Sequence, residues 1–237
     1  MSIVFVAFFF RGITGFGGAL ISVPLMGVFL NLKTVLTIEA FLEFFASIIL
    51  LPFVFRDIKW KILFIMILGA TIGTLLGVFL LNFIAELWLK KILGLIIIFF
   101  GIYYFFFKPD DNVKIYKRYY LSGTISGFLG GALGGMFGTS GPPFVIYLTS
   151  ILRNKDQFRS TLIALFAIDY TWRSILYSAS GLINQDVIRI TSWCMVSLLP
   201  ATFLGSIVKR KITNKLFLRL VALLILISGL SVFFISY

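Results

Sequence analysis

Apolar runs of 18 to 25 residues recur along this chain, with short basic stretches between them. About 20 apolar residues in helical form match the hydrocarbon core of a bilayer. With 60% of 237 residues hydrophobic and 13% charged, a soluble domain has too little interior to bury them. The 28 phenylalanines and four tryptophans suit lipid-facing surfaces and interfacial belts. The pattern predicts an all-α polytopic protein whose first partner is the lipid bilayer.

The net charge of +12 falls mostly in loops between apolar runs, where it reads as an orientation signal and not as nucleic-acid binding. With no histidine and one cysteine, Cys194, inside an apolar run, disulfides and Cys/His metal sites are not expected. Met1 leads straight into Ile3–Phe10 without a basic region or small-residue cleavage site, so no cleavable signal peptide is read here.

Two glycine-rich stretches interrupt the apolar runs. One is Gly12-Ile13-Thr14-Gly15-Phe16-Gly17-Gly18 followed by Pro24; the other is Gly134-Gly135-Met136-Phe137-Gly138-Thr139-Ser140-Gly141-Pro142-Pro143. Around them the chain divides into a first unit, 1–107, with a glycine-broken segment at 2–30 and helices at about 34–55, 62–82 and 88–107. A polar linker follows at 108–118. The second unit, 119–237, has a broken segment at 119–151 and helices at about 158–181, 187–208 and 216–236.

The units are related. An offset of 123 maps Gly12 to Gly135, Gly15 to Gly138, Gly18 to Gly141 and Asn31 to Asn154. Later in each unit an offset of 128 maps Gly77 to Gly205, Lys91 to Arg219 and Gly101 to Gly229. An internal repeat follows. Loop charge then gives its sense. If every segment crosses, the two sides carry 11 and 8 Lys and Arg; if each broken segment turns back on itself, they carry 15 and 4. The positive-inside rule favours the second arrangement. Each unit is then a re-entrant hairpin plus three crossings, so the second is inverted, as in many secondary transporters. Kinked segments that span are the alternative.

Helix N-termini present unpaired N–H groups and a positive dipole end. Thr139 or Ser140 can cap a helix whose first turn holds Pro142-Pro143, and Gly17-Gly18 before the 19–30 helix repeats the design with Thr14 nearby. Two such ends facing each other near mid-membrane would bind an anion. Alternatively, the glycines serve only close helix crossing.

Five ionisable residues lie within apolar segments: Arg11, Glu39, Glu43, Asp169 and Arg173. Arg11 either counter-charges an anion through its fork of donors or snorkels to the interface. Asp169 and Arg173, at i and i+4, can pair on one face, as a structural pair or as a gate or relay. Glu39 and Glu43 would repel at the same spacing unless one is protonated or a cation lies between them. One could carry a coupling proton; Glu39 could also reach water near the Lys33 loop.

These motifs also carry a resemblance. Gly12-Ile13-Thr14-Gly15-Phe16-Gly17-Gly18 and Pro24 resemble the first signature of the TauE/SafE sulfite-exporter family, and Gly130 to Pro142 resemble its second. Gly69-Ala70-Thr71-Ile72-Gly73-Thr74-Leu75-Leu76-Gly77 and its degraded partner Pro200-Ala201-Thr202-Phe203-Leu204-Gly205 extend the likeness over the chain. Where the family continues with further glycine, this chain has Thr139-Ser140-Gly141-Pro142-Pro143, hydroxyls that bear on the substrate.

The resemblance implies a multi-pass transporter, not an enzyme, in a bacterial-type inner (plasma) membrane. Its substrate would be sulfite or an organosulfonate such as sulfoacetate or a taurine-related compound, moved by alternating access. An anion channel, or a carrier of carboxylates or other organic anions at the same site, is the alternative. The substrate site would set Arg11, Thr14, Gly15, Phe16, Gly17 and Gly18 against Gly138, Thr139, Ser140, Gly141 and Pro142. Glu39, Glu43, Asp169 and Arg173 are the candidates for coupling or gating. No cofactor is expected beyond a coupling proton or ion, and the protein would act as a monomer or homodimer.

Overall fold

The computed structural model describes residues 1–85, 87–89, 91, 92, 95, 99, 119–152 and 154–208. Its helices are α1 (Ser2–Thr14), α2 (Gly18–Gly27), α3 (Leu32–Val54), α4 (Trp60–Phe83), α5 (Tyr119–Phe137), α6 (Gly141–Ile151), α7 (Lys155–Ala179) and α8 (Gln185–Val208), with no strand among the described residues. Most of the segment read at 88–107, the linker at 108–118 and the segment at 216–236 lie outside the described residues. By length and composition α3, α4 and α8 are each able to cross a membrane.

Polar caps move two helix starts upstream of the apolar runs. Asn31 Oδ1 accepts from the Lys33 N–H at 2.9 Å, so α3 begins at Leu32. Asn154 Oδ1 accepts from Asp156 and Gln157 N–H at 2.9 and 3.2 Å, so α7 begins at Lys155. Each cap satisfies donors that the first turn leaves open.

The breaks are narrower than the glycine clusters. Gly12 stays helical within α1 and Gly18 opens α2, while Gly15 (φ 83°) and Gly17 (φ 93°) take the left-handed region between them. The Gly15 N–H returns to Arg11 O at 2.7 Å, closing α1 with a left-handed cap. Gly138 (φ 75°) does the same for α5, its N–H reaching Gly134 O at 2.8 Å.

At both breaks the chain doubles back. Gly123 of α5 lies against Tyr147 of α6, Gly130 lies against Phe144, and Ser126 Oγ donates to Pro143 O at 2.6 Å, so α5 and α6 are antiparallel. In the first half, α2 runs back along α3 from Glu43 beside Gly18 to Leu32 beside Gly27. The preceding α1 runs the other way. Its Arg11 meets Glu43 and Ser47, and the following Gly15 meets Ile163, which clusters with Leu50 and Val54 farther along α3.

Two small-residue seams hold these hairpins to their neighbours. Gly69, Gly73 and Gly77 of α4 lie against the α5 backbone from Thr124 to Met136, where a β-carbon would collide. At the other seam α1 packs on α8, with Gly12 against Thr202 O and Gly205. Gly135 against Thr74 O and Gly77 is the same contact carried over by the two sequence offsets. Between the seams α3 packs on α7. The glycines thus serve both roles read for them: close crossing at Gly12 and Gly135, chain reversal at Gly15, Gly17 and Gly138. Phe64, Leu68, Ile72, Phe79 and Phe83 line an exposed face of α4, as lipid contact requires.

The two tips contact different turns of α3. Gly138 touches Leu36 of α3 and Gly18 touches Glu43, a separation of seven residues or roughly 10 Å along the helix. On α4 the second tip lies beside Thr74 to Val78, which Gly135 meets. The tips remain neighbours: a β-carbon on Gly141 would lie 3.7 Å from Phe16 Cδ2 and 3.8 Å from Leu20 Cδ1.

Candidate functional site

Arg11, in the last turn of α1, is fully buried and does not snorkel. Its Nε donates to Glu43 Oε2 in a buried ion pair, and Nη2 donates to Ser47 Oγ at 2.6 Å and to Glu43 O at 3.4 Å. Glu43 Oε1 accepts from the Ala19 N–H at 3.2 Å, in the first turn of α2. A protein carboxylate therefore occupies the helix N-terminus where a solute anion was expected, and Arg11 holds it there. Of the two glutamates, Glu43 is the one that Arg11 pairs with. The Thr14 hydroxyl turns inward on the break, donating to Phe16 O and accepting from the Phe16 N–H at 2.9 Å.

The second break has its own knot. Ser140 stands at the N-cap of α6, but its hydroxyl caps nothing. Instead it donates to Asp169 Oδ2 at 2.7 Å and accepts from Arg173 Nη2. Arg173 Nη2 also pairs with Asp169 Oδ2 along α7, and Thr74 Oγ1 donates to Asp169 Oδ1 at 2.8 Å. The guanidinium lies over the Tyr170 ring, 4.4 Å from its centre. The Tyr170 hydroxyl donates to Gly138 O at 3.4 Å, and Tyr177 donates to Gly135 O at 2.8 Å. The expected side-chain cap is thus corrected, because the charges on α7 draw the hydroxyl away. Pro142 and Pro143 do fall in the first turn of α6.

Donors are left over in this sealed interior. Among the described residues, Arg11 Nη1, Arg173 Nε and Nη1, and the Thr139 hydroxyl are buried without a hydrogen-bond partner, as are both oxygens of Glu39. Each buried group without a partner costs about 1–3 kcal/mol. Glu39 is fully buried, so it does not reach water near Lys33. Phe16, Leu20 and Phe166 surround Gly141 between the breaks. The structure thus brings Arg11 with Glu43 and Ser140 with Asp169 and Arg173, and ties Thr14 to its own loop.

Sequence reasoning missed Ser47, Thr74, Tyr170, Tyr177 and Arg159. Counted with Arg153 and Lys155 among the 15 loop charges, Arg159 lies one turn inside α7, 8% exposed, donating from Nη2 to Gly12 O at 3.0 Å. Its place after the Asn154 cap was the available signal.

The family described as Sulfite exporter TauE/SafE matches residues 1–232. The chain belongs to the TauE/SafE family. No curated protein and no solved structure matches it. As a TauE/SafE protein, this is a membrane-integral chain of a transporter family. Both knots and both breaks fall inside the matched span.

Proposed function

We propose that the protein is a secondary transporter of sulfite or a small organosulfonate such as sulfoacetate or a taurine-related compound. It works by alternating access in a bacterial-type inner membrane, as a monomer or homodimer. Its two units are inverted repeats, each a re-entrant hairpin with three crossings. The observation that carries the anion reading is the set of unspent buried donors on Arg11, Arg173 and Thr139 beside the two short-helix N-termini. A tetrahedral or pyramidal oxyanion supplies several acceptors at once. The sulfur comes from the family.

In this reading Glu43 and Asp169 are placeholders. They neutralise Arg11 and Arg173 in the closed state, and they yield part of that coordination to the guest. Exchange of one set of charge-assisted bonds for another keeps the closed and loaded states close in energy, which turnover requires. Counterflow of labelled sulfite, taurine and sulfoacetate in proteoliposomes tests the reading. Saturable exchange is expected. Non-saturating flux would make the protein a channel, and no exchange with any of the three would sink the proposal.

A further inference from the structure

Glu39 stands out in the interior. It lies on α3 between the two breaks, three residues after Leu36, which touches Gly138, and four before Glu43, which caps α2. It is fully buried, and among the described residues neither carboxylate oxygen has a hydrogen-bond partner. Titratable and charged groups face it from the elements around it: Arg11 from α1, Glu43 on its own helix, Tyr170 and Arg173 from α7, and Cys194 from α8. The α2 helix contributes Ser22, whose hydroxyl donates to Gly18 O at 2.8 Å.

Neither arginine makes a hydrogen bond to Glu39. Arg11 spends Nε and Nη2 on Glu43 and Ser47, and Arg173 spends Nη2 on Asp169 and Ser140. Two carboxyls one turn apart therefore have opposite surroundings. Glu43 has a salt bridge and a backbone N–H donor; Glu39 has neither. We propose that Glu39 is the proton-binding site that couples solute movement to a proton gradient, an inference that rests on the transporter reading above.

The chemistry is a proton transfer only. A proton from water on one side forms an O–H bond on a Glu39 oxygen, and on opening to the other side that bond breaks and the proton returns to water. Ionised, Glu39 repels an anion held between the breaks; protonated, it does not. Anion and proton therefore occupy the closed compartment together and travel in the same direction.

Labelled sulfoacetate and sulfite, run in parallel in proteoliposomes, test this. With counterflow as the reference and the membrane potential clamped at zero, a pH gradient of one unit, acid on the loading side, should drive about tenfold accumulation if one proton moves per anion. In Glu39→Gln the ratio of accumulation to counterflow should collapse. Counterflow without gradient-driven accumulation in the unaltered protein overturns the proton inference and leaves the transporter reading standing. Counterflow absent for both anions overturns that reading and this inference with it. A Glu39→Gln variant that accumulates like the parent removes Glu39 from the role. Should the variant fail to fold, the infrared spectrum of the unaltered protein decides: a carboxylic-acid C=O band at neutral pH is expected, and its absence overturns the proposal.

Discussion

Gly134 shows how much one hydrogen in place of a methyl can decide. A β-carbon there would run into Arg173 Nη2 and Ser140 Oγ, the two groups that tie α7 to the second break. Gly134→Ala must open that knot, at a cost of about 1–3 kcal/mol for overpacking a filled interior. Gly27→Ala is the contrast, since its added carbon meets only Leu32 Cδ1 at an ordinary 3.8 Å, and its effect should stay within about 1 kcal/mol of zero. Thermal unfolding of both variants in detergent checks this, and equal midpoints would refute the account of the knot. At this scale the sequence exposed the intramembrane charges, because Arg11, Glu39, Glu43, Asp169 and Arg173 are conspicuous among apolar neighbours. It hid their partners. Ser47 and Thr74 look ordinary in apolar helices, and only the fold brings Thr74 to Asp169, 95 positions away.

The same ambiguity recurs for whole elements. Glycine serves a sharp reversal and a close crossing for one reason, its missing side chain, so a glycine cluster marks both without separating them. That is why the first break was read across Gly12–Gly18, whereas Gly12 is helical and packs on α8. The seam between α4 and α5 depends on this closeness along its length: added carbons at Gly69, Gly73 and Gly77 would each meet the α5 backbone, which cannot give way as a side chain does. Gly73→Ala should therefore cost about 1–3 kcal/mol. Gly181→Ala, in open space at the end of α7 with φ 70°, should cost only the backbone strain of about 1–2 kcal/mol. Combining Gly73→Ala with Gly77→Ala should cost less than the two separate losses, because one displacement of α5 relieves both clashes. Strict additivity in thermal unfolding would mean that the seam gives way locally and that the helices do not move as units.

For the whole molecule, the proposed inverted repeat makes a geometric demand that charge alone only suggested. Moving Arg159 from loop to interior lowers the heavier tally from 15 to 14 and leaves the other side at 4, so the orientation argument survives its correction. Contacts that reappear under the repeat offsets, Gly12 with Gly205 and Gly135 with Gly77, support a two-fold exchange of α1 with α5 and of α8 with α4. If the units are inverted, the ends of the two hairpins open on opposite faces of the membrane. In a chain whose broken segments simply cross, they would open on the same face. Phe29, after α2, and Ser150, in the last turn of α6, are exposed positions that report on those faces. In a Cys194→Ser background, Phe29→Cys should react with an impermeant thiol reagent only from outside the cell. Ser150→Cys should react only in inverted vesicles. Labelling of both from one side would remove the inverted repeat, and with it the symmetric exchange of the two closed ends on which alternating access around Glu39 depends.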